Sequence, residues 1–226
     1  MKGLYAIVDT KLLARRGTDC IEYARAVLPA RPAALQLRAK DLPARTILGI
    51  LRALGPLCRQ AHVPLFVNDR ADLAALAGCE GVHIGQADLP YDLVHRIAPQ
   101  LSVGLSTYGI EQLDRAIATG PSYVTYGPVF PSATKSNPEP ALGLEGLAVA
   151  AKKARAAGVP LVATGGITLE RLPEVGALAD AWAVIGDLYP EGATLGDVRA
   201  RAIAFQRSTP VPPSTTTVAD ERREGI

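Results

Sequence analysis

Arg38 and Lys40, the pair Asn68-Asp69, and Asp88 are the side chains in this sequence with the most chemistry to offer. Two carboxylates with an amide beside one of them form a set of hard oxygen donors. Such a set suits Mg²⁺, which commonly completes its shell with substrate phosphates. Arg38, Lys40 and a third cation, Lys135, are then expected to meet a polyanion rather than a single carboxylate. Cations beside a metal are what a departing diphosphate requires, because charge that develops as a C–O bond breaks must be met by fixed donors. Lys135 ends a run from Tyr126 in which an apolar strand passes through Gly127-Pro128 into a loop carrying Ser132 and Thr134, and that loop reads as an anion-binding one.

Each group also has a plain structural reading. Arg38 and Lys40 can be a solvated charge pair, Asn68-Asp69 a cap for a helix starting at Arg70, Asp88 a turn acid before Pro90, and Lys135 a surface lysine. Cys20, Cys58 and Cys79 lack CxxC spacing, and His62, His83 and His95 lack metal-ligand spacing. Neither zinc nor a disulfide framework is supported, and the thiols are expected to be reduced and buried in a cytoplasmic protein. His83 falls in an apolar strand pattern and is expected to be packed and hydrogen-bonded. The functional reading therefore depends on whether the fold brings these groups to one place.

Short apolar runs alternate with segments of helical period, and the alternation occurs eight times. The strands are expected at Leu4 to Val8, Ala33 to Leu37, Leu65 to Val67, Gly81 to Ile84, Ser102 to Leu105, Tyr123 to Tyr126, Leu161 to Ala163 and Ala181 to Ile185. Helical segments fall between them, the last from Thr194 to Phe205. Repeated strand-helix-strand order demands parallel pairing through right-handed crossovers. The α/β class follows, and eight such units fit a single (β/α)8 TIM barrel. An open doubly wound sheet would carry a glycine fingerprint after its first strand, where this chain has Val8-Asp9-Thr10.

In such a barrel the loops after the strands share one rim. Gln36, Arg38 and Lys40 follow the second strand, Asn68 and Asp69 the third, Gln86 and Asp88 the fourth, and Ser106 the fifth. Ser132, Thr134 and Lys135 follow the sixth, Gly165-Gly166 the seventh, and Ile185-Gly186 end the eighth. Glycines after strands seven and eight match the usual barrel phosphate site, so a second anion site is expected on the same rim.

Composition agrees with a globular chain: 226 residues, 48% hydrophobic, with a net charge of +2 that gives no global pull toward nucleic acid or membrane. No apolar stretch approaches a membrane span, and Met1 to Thr10 does not read as a signal peptide. The barrel is expected over residues 1–207. Residues 208–226 are rich in proline and threonine, then charged, and read as a disordered tail. Oligomeric state is left open, a homo-oligomer included.

The residues just named resemble the thiamine phosphate synthases and the related thiazole tautomerases. The resemblance rests on Gln36-Leu37-Arg38-Ala39-Lys40, Val67-Asn68-Asp69-Arg70, Gly81-Val82-His83-Ile84-Gly85-Gln86-Ala87-Asp88, Gly127-Pro128-Val129-Phe130-Pro131 through Thr134-Lys135, Leu142 to Leu147, and Gly165-Gly166-Ile167. It implies a Mg²⁺-dependent enzyme joining 4-amino-5-hydroxymethyl-2-methylpyrimidine diphosphate to a thiazole phosphate by a dissociative displacement, forming thiamine phosphate. It further implies Asp69 and Asp88 as metal ligands and Arg38, Lys40, Asn68 and Lys135 on the diphosphate. Gln36 would face the pyrimidine and Ser106 would lie near the leaving group. Ser132, Thr134, Gly165, Gly166, Ile185 and Gly186 would serve the substrates, chiefly on the thiazole phosphate side.

Three positions depart from the family pattern. Ala39 stands where an acid is usual, Thr107-Tyr108 where a small residue and His are common, and Gly186-Asp187 where Ser-Ala is usual. Asp187 is expected to turn away from the anion and cap the next helix. The tautomerase needs no acidic metal pair and uses a His where this chain has Tyr108, so Asp69 and Asp88 favour the synthase. A paralogue that only binds a thiazole or thiamine phosphate is the other alternative, while a phosphopentose epimerase is disfavoured by the lack of paired His and Asp ligands.

Overall fold

Alternate residues of the first strand face opposite ways. Leu4, Ala6 and Val8 enter the apolar layer beneath the helices, whereas Tyr5 and Ile7 point into a second, inner cluster with Phe66, Tyr123, Val162 and Ala183. Strands buried on both faces in this way require a sheet with helices outside and a filled interior, the condition met by a closed parallel barrel. The computed structural model, which describes residues 1–131 and 140–208, has that form.

The strands are β1 (Gly3–Asp9), β2 (Ala34–Arg38), β3 (Leu65–Asn68), β4 (Gly81–Ile84), β5 (Ser102–Thr107), β6 (Tyr123–Tyr126), β7 (Leu161–Thr164) and β8 (Ala181–Val184). They pair in parallel in chain order, and β8 returns to β1 to close the barrel. The helices are α1 (Thr10–Arg15), α2 (Cys20–Val27), α3 (Ala44–Ala61), α4 (Ala71–Ala77), α5 (Tyr91–Ile97), α6 (Ile110–Ala118), α7 (Gly143–Ala156), α8 (Leu172–Gly176) and α9 (Leu195–Arg207). No helix of the described residues is long and apolar enough to cross a membrane.

The interior is filled by aromatic rings because two strands give up their side chains. A Cβ on Gly104 would sit 2.0 Å from Tyr123 Cζ, and one on Gly81 would sit 2.3 Å from Phe66 Cε1. Neighbouring strands thus alternate large and absent side chains, which keeps the core at solid density.

Every expected strand is present, within one or two residues at its ends. Two local differences bear on the site. Helix α1 follows β1 directly, where the sequence pattern gave no helix; the Asp9 carboxylate accepts the Leu12 N–H at 2.8 Å and so caps it. Conversely, α4 begins at Ala71 after Arg70 with no side-chain cap, so Asn68 and Asp69 do not serve as one. Ser132, Thr134, Lys135 and the tail beyond Ser208 lie outside the described residues.

Candidate active site

A cavity of about 380 Å³ opens at the carboxyl ends of the strands. Gln36, Arg38, Lys40, Asn68, Asp69, Asp88, Ser106 and Ile185, all expected on this rim, line it together. Gly165, Gly166 and Gly186 lie outside that lining, in the turns after β7 and β8.

The two cations on the β2 side are each paired with a carboxylate, Arg38 largely buried and Lys40 half exposed. Arg38 is the register partner of Asp9 across the β1–β2 pair, and its Nη1 donates to Asp9 Oδ2 at 2.5 Å. Asp9 is 4% exposed and also caps α1, so the anchor is rigid. Lys40 Nζ lies 3.3 Å from Asp69 Oδ2.

Asp69 adopts φ +66°, a left-handed conformation that Asp tolerates better than most residues, and its N–H is bound by the His83 carbonyl at 2.8 Å. That turn directs its carboxylate toward Asp88. Asp88 Oδ2 in turn accepts the Gly85 N–H at 2.7 Å, and a Cβ at Gly85 would come within 3.1 Å of that oxygen. Burial, with the Asp88 carboxyl in hydrogen-bonding contact, pushes the Asp69 pKa up to about 6, against the opposing pull of Lys40. A carboxylate pair of this kind either shares a proton or takes a cation. Among the described residues no group of three or more His, Cys, Asp or Glu could hold a metal. Two carboxylates with room for other oxygens fit Mg²⁺, which keeps waters and substrate oxygens in its shell, and do not fit zinc.

Asn68 completes this side. Its Oδ1 accepts from Gln36 Nε2 at 3.4 Å, while its Nδ2 is buried with no hydrogen-bond partner among the described residues. A buried donor left unmatched costs roughly 1–3 kcal/mol.

The floor of the cavity is a continuous chain of hydrogen bonds that the sequence did not disclose. Tyr5 Oη donates to Gln36 Oε1 at 2.9 Å, and the Tyr5 and Tyr123 hydroxyls lie 2.8 Å apart. Tyr123 Oη meets His83 Nδ1 at 3.0 Å, and His83 Nε2 meets Ser106 Oγ at 2.8 Å. Donor counting assigns the directions. The single Tyr5 proton goes to Gln36, so the Tyr123 proton goes to Tyr5, and Tyr123 can only accept from His83. Where His83 is neutral, its proton lies on Nδ1, its Nε2 accepts from Ser106, and Ser106 Oγ presents lone pairs to the cavity. Burial pushes both tyrosine hydroxyls above their ordinary range, which keeps them as neutral relays. His83 is thus packed and bonded, as its apolar surroundings suggested, and it belongs to the site as well.

On the opposite side, the turn after β7 is shaped by contact with the segment after β6. Gly165 and Gly166 have φ +89° and +64°, and a Cβ on Gly165 would meet Pro128 Cβ at 2.3 Å. The Val129 and Phe130 N–H groups donate to Thr164 O and Gly165 O, so the two loops run together. Arg171 locks this junction, donating to Gly166 O at 2.6 Å with its guanidinium 4.2 Å above the Phe130 ring.

Asp187 does turn away, but not to cap the helix that follows. Its carboxylate takes the Leu169 N–H at 3.3 Å and Arg201 Nη2 at 2.5 Å. It caps the short turn after β7 and is matched by a cation from α9. Asp9, Tyr5, Tyr123, Arg171 and Arg201 are the residues the sequence reading passed over. Only Asp9, an acid ending an apolar strand, carried a local signal.

A family model described as thiamine monophosphate synthase matches residues 4–188. Thiamine-phosphate synthase of Roseiflexus sp. (strain RS-1) is 40% identical over 198 residues, covering 84% of this chain and 81% of that protein. That of Anaeromyxobacter dehalogenans (strain 2CP-C) is 41% identical over 197 residues, covering 84% of each. Among solved structures, thiamine phosphate pyrophosphorylase from Pyrococcus furiosus superposes with a TM-score of 0.77 at 31% identity, over 92% of this chain and 95% of that one.

Proposed function

The chain belongs to the thiamine monophosphate synthase family, and on that premise we propose how its mouth carries out the reaction. It is a thiamine phosphate synthase, joining 4-amino-5-hydroxymethyl-2-methylpyrimidine diphosphate to a thiazole phosphate with release of diphosphate. The observation that carries the reading of the site is convergence. Arg38, Lys40 and Asn68 line one cavity with the Asp69–Asp88 pair.

Asp69 and Asp88 would hold Mg²⁺. When bound, such a cation supplies charge to the diphosphate oxygens, making them a better leaving group. Arg38, fixed by Asp9, takes diphosphate oxygens in a planar fork, and Lys40 exchanges its Asp69 contact for them. Lys135 would join them on the diphosphate, and Ser132 and Thr134 would serve the substrates. As the C–O bond breaks, its electron pair leaves with the diphosphate, and positive charge spreads over the pyrimidine. Ser106 Oγ, an acceptor where His83 is neutral, suits an N–H of the exocyclic amine, whose acidity grows at that moment. Gln36 would face the ring. The thiazole phosphate would lie against the turns after β7 and β8, with backbone N–H groups near Gly166 and Gly186 toward its phosphate.

The partners are small molecules, and the reading is of a cytoplasmic catalytic barrel over residues 1–207. A coupled assay of diphosphate release with both substrates tests it. Turnover should require Mg²⁺ and both substrates. Tight binding of thiamine phosphate with no diphosphate release would reject an enzyme in favour of a binding protein, and equal turnover in excess chelator would reject the metal.

A further inference from the structure

The turn after β8 carries an acid where a phosphate is to be received, and a single arginine from the last helix answers it. Arg201 Nη2 donates to Asp187 Oδ2 at 2.5 Å, and Arg201 Nε donates to the carbonyl of the same residue at 2.5 Å. The same Oδ2 accepts from Leu169 N–H, three residues beyond Gly166. One side chain on α9 therefore grips both the charge and the backbone of Asp187, and Asp187 grips the turn after β7. Both partners are partly buried, with side-chain exposures of 27% and 23%, so their charges are only partly screened.

We propose that Arg201 serves binding of the phosphorylated substrate by cancelling the charge of Asp187, the acid beside Gly186. The inference rests on the reading that a thiazole phosphate lies against the turns after β7 and β8. Glycine at 186 leaves only a backbone N–H to meet the anion. An unpaired carboxylate at the next residue would oppose the same anion.

The test is steady-state diphosphate release, each substrate varied in turn, for the parent, R201Q, D187N and the double variant D187N/R201Q. R201Q should raise KM for the thiazole phosphate by about tenfold, as expected for one uncompensated charge within roughly 10 Å of the anion. KM for the pyrimidine diphosphate should stay within about twofold. D187N/R201Q removes both charges and should recover most of the loss, and D187N alone should leave that KM at or below the parent value. The unphosphorylated thiazole alcohol, as a competitive inhibitor, should bind R201Q and parent alike. Equal rises in both KM values, no rise in R201Q, or no recovery in the double variant would reduce the pair to a structural tie and overturn the proposal. If R201Q does not fold, R201K must keep the parent KM for the thiazole phosphate, and a rise there equally overturns it. Absence of turnover by the parent would instead strike the assigned reaction, so the two failures are distinct.

Discussion

Asp9 and Arg38 end neighbouring strands as register partners and close an ion pair at the mouth of the barrel. The carboxylate works twice, with Oδ1 capping α1 and Oδ2 orienting the guanidinium. Asn at this position keeps an oxygen for the cap but loses the charge that aims Arg38. Asp9→Asn is expected to lower kcat/KM for the pyrimidine diphosphate by up to about 100-fold, the scale of a misplaced positioning group. Asp9→Ala removes the cap too, and should cost about 1 kcal/mol more in unfolding free energy than Asp9→Asn. Urea titrations beside kinetics separate the two roles; equal stabilities would dismiss the cap.

Gly165→Ala combines two penalties that another glycine allows to be separated. At Gly158 the φ of +69° is similar in sign, but a Cβ meets nothing within 4 Å. Gly158→Ala should therefore show only the conformational term, about 1–2 kcal/mol. Gly165→Ala adds the collision with Pro128 and should lose a further 1–3 kcal/mol, roughly the cost of overpacking. It should also weaken thiazole phosphate binding, because the β6 segment must move. Similar losses for both variants would mean that the two loops do not need their close approach.

The barrel was legible because its strands are short apolar runs buried on both faces, each closed by polar or glycine residues. Helix α1 was not, since Thr10–Arg15 has too few apolar positions to display a period and is nucleated by the Asp9 cap. Within the site, Arg38, Lys40, Asp69 and Asp88 were visible by residue type and by their place after strands. Tyr5 and Tyr123 were not, because inside a strand each looks like any other core aromatic. Only the inward parity of a closed barrel brings their hydroxyls together. The Arg201–Asp187 pair needs the docking of α9 on the turn after β8, which no local pattern encodes.

Tyr123→Phe tests the floor of the cavity. The ring volume is kept, but the link between Tyr5 and His83 is cut, leaving His83 Nδ1 without its acceptor on Tyr123. The expected cost is about 1–3 kcal/mol in stability for groups stranded in the interior. The rate should fall more than KM rises, because His83 loses the bond that fixes its tautomer and, through it, Ser106. A KM change alone would restrict the chain to structural support.

Truncation after Ser208 should leave the melting temperature within about 1 °C and turnover unchanged, since the composition of residues 209–226 offers little to bury. A fall of several degrees, or of activity, would require the tail to pack on the barrel.

The Asp69–Asp88 pair yields a prediction whose sign depends on the metal. The folded-state pKa of Asp69 is raised to about 6, by burial first and then by Asp88. Between about pH 4 and pH 6 the folded chain therefore binds a proton that the unfolded chain has released. Its contribution to stability is complete below the unfolded value and is lost as pH rises through about 6. In chelator, the melting temperature of the parent minus that of Asp69→Asn should fall across this window, because Asn does not titrate and tolerates the left-handed backbone. Mg²⁺ binds the ionised pair, so it should raise the parent's melting temperature above about pH 6 and lose its effect below about pH 5, where protons compete. Asp69→Asn should abolish that Mg²⁺ response and reduce turnover by at least about 100-fold, as loss of a metal ligand at a charge-developing step demands. A Mg²⁺ effect that persists unchanged at low pH or in Asp69→Asn would move the cation away from these two carboxylates.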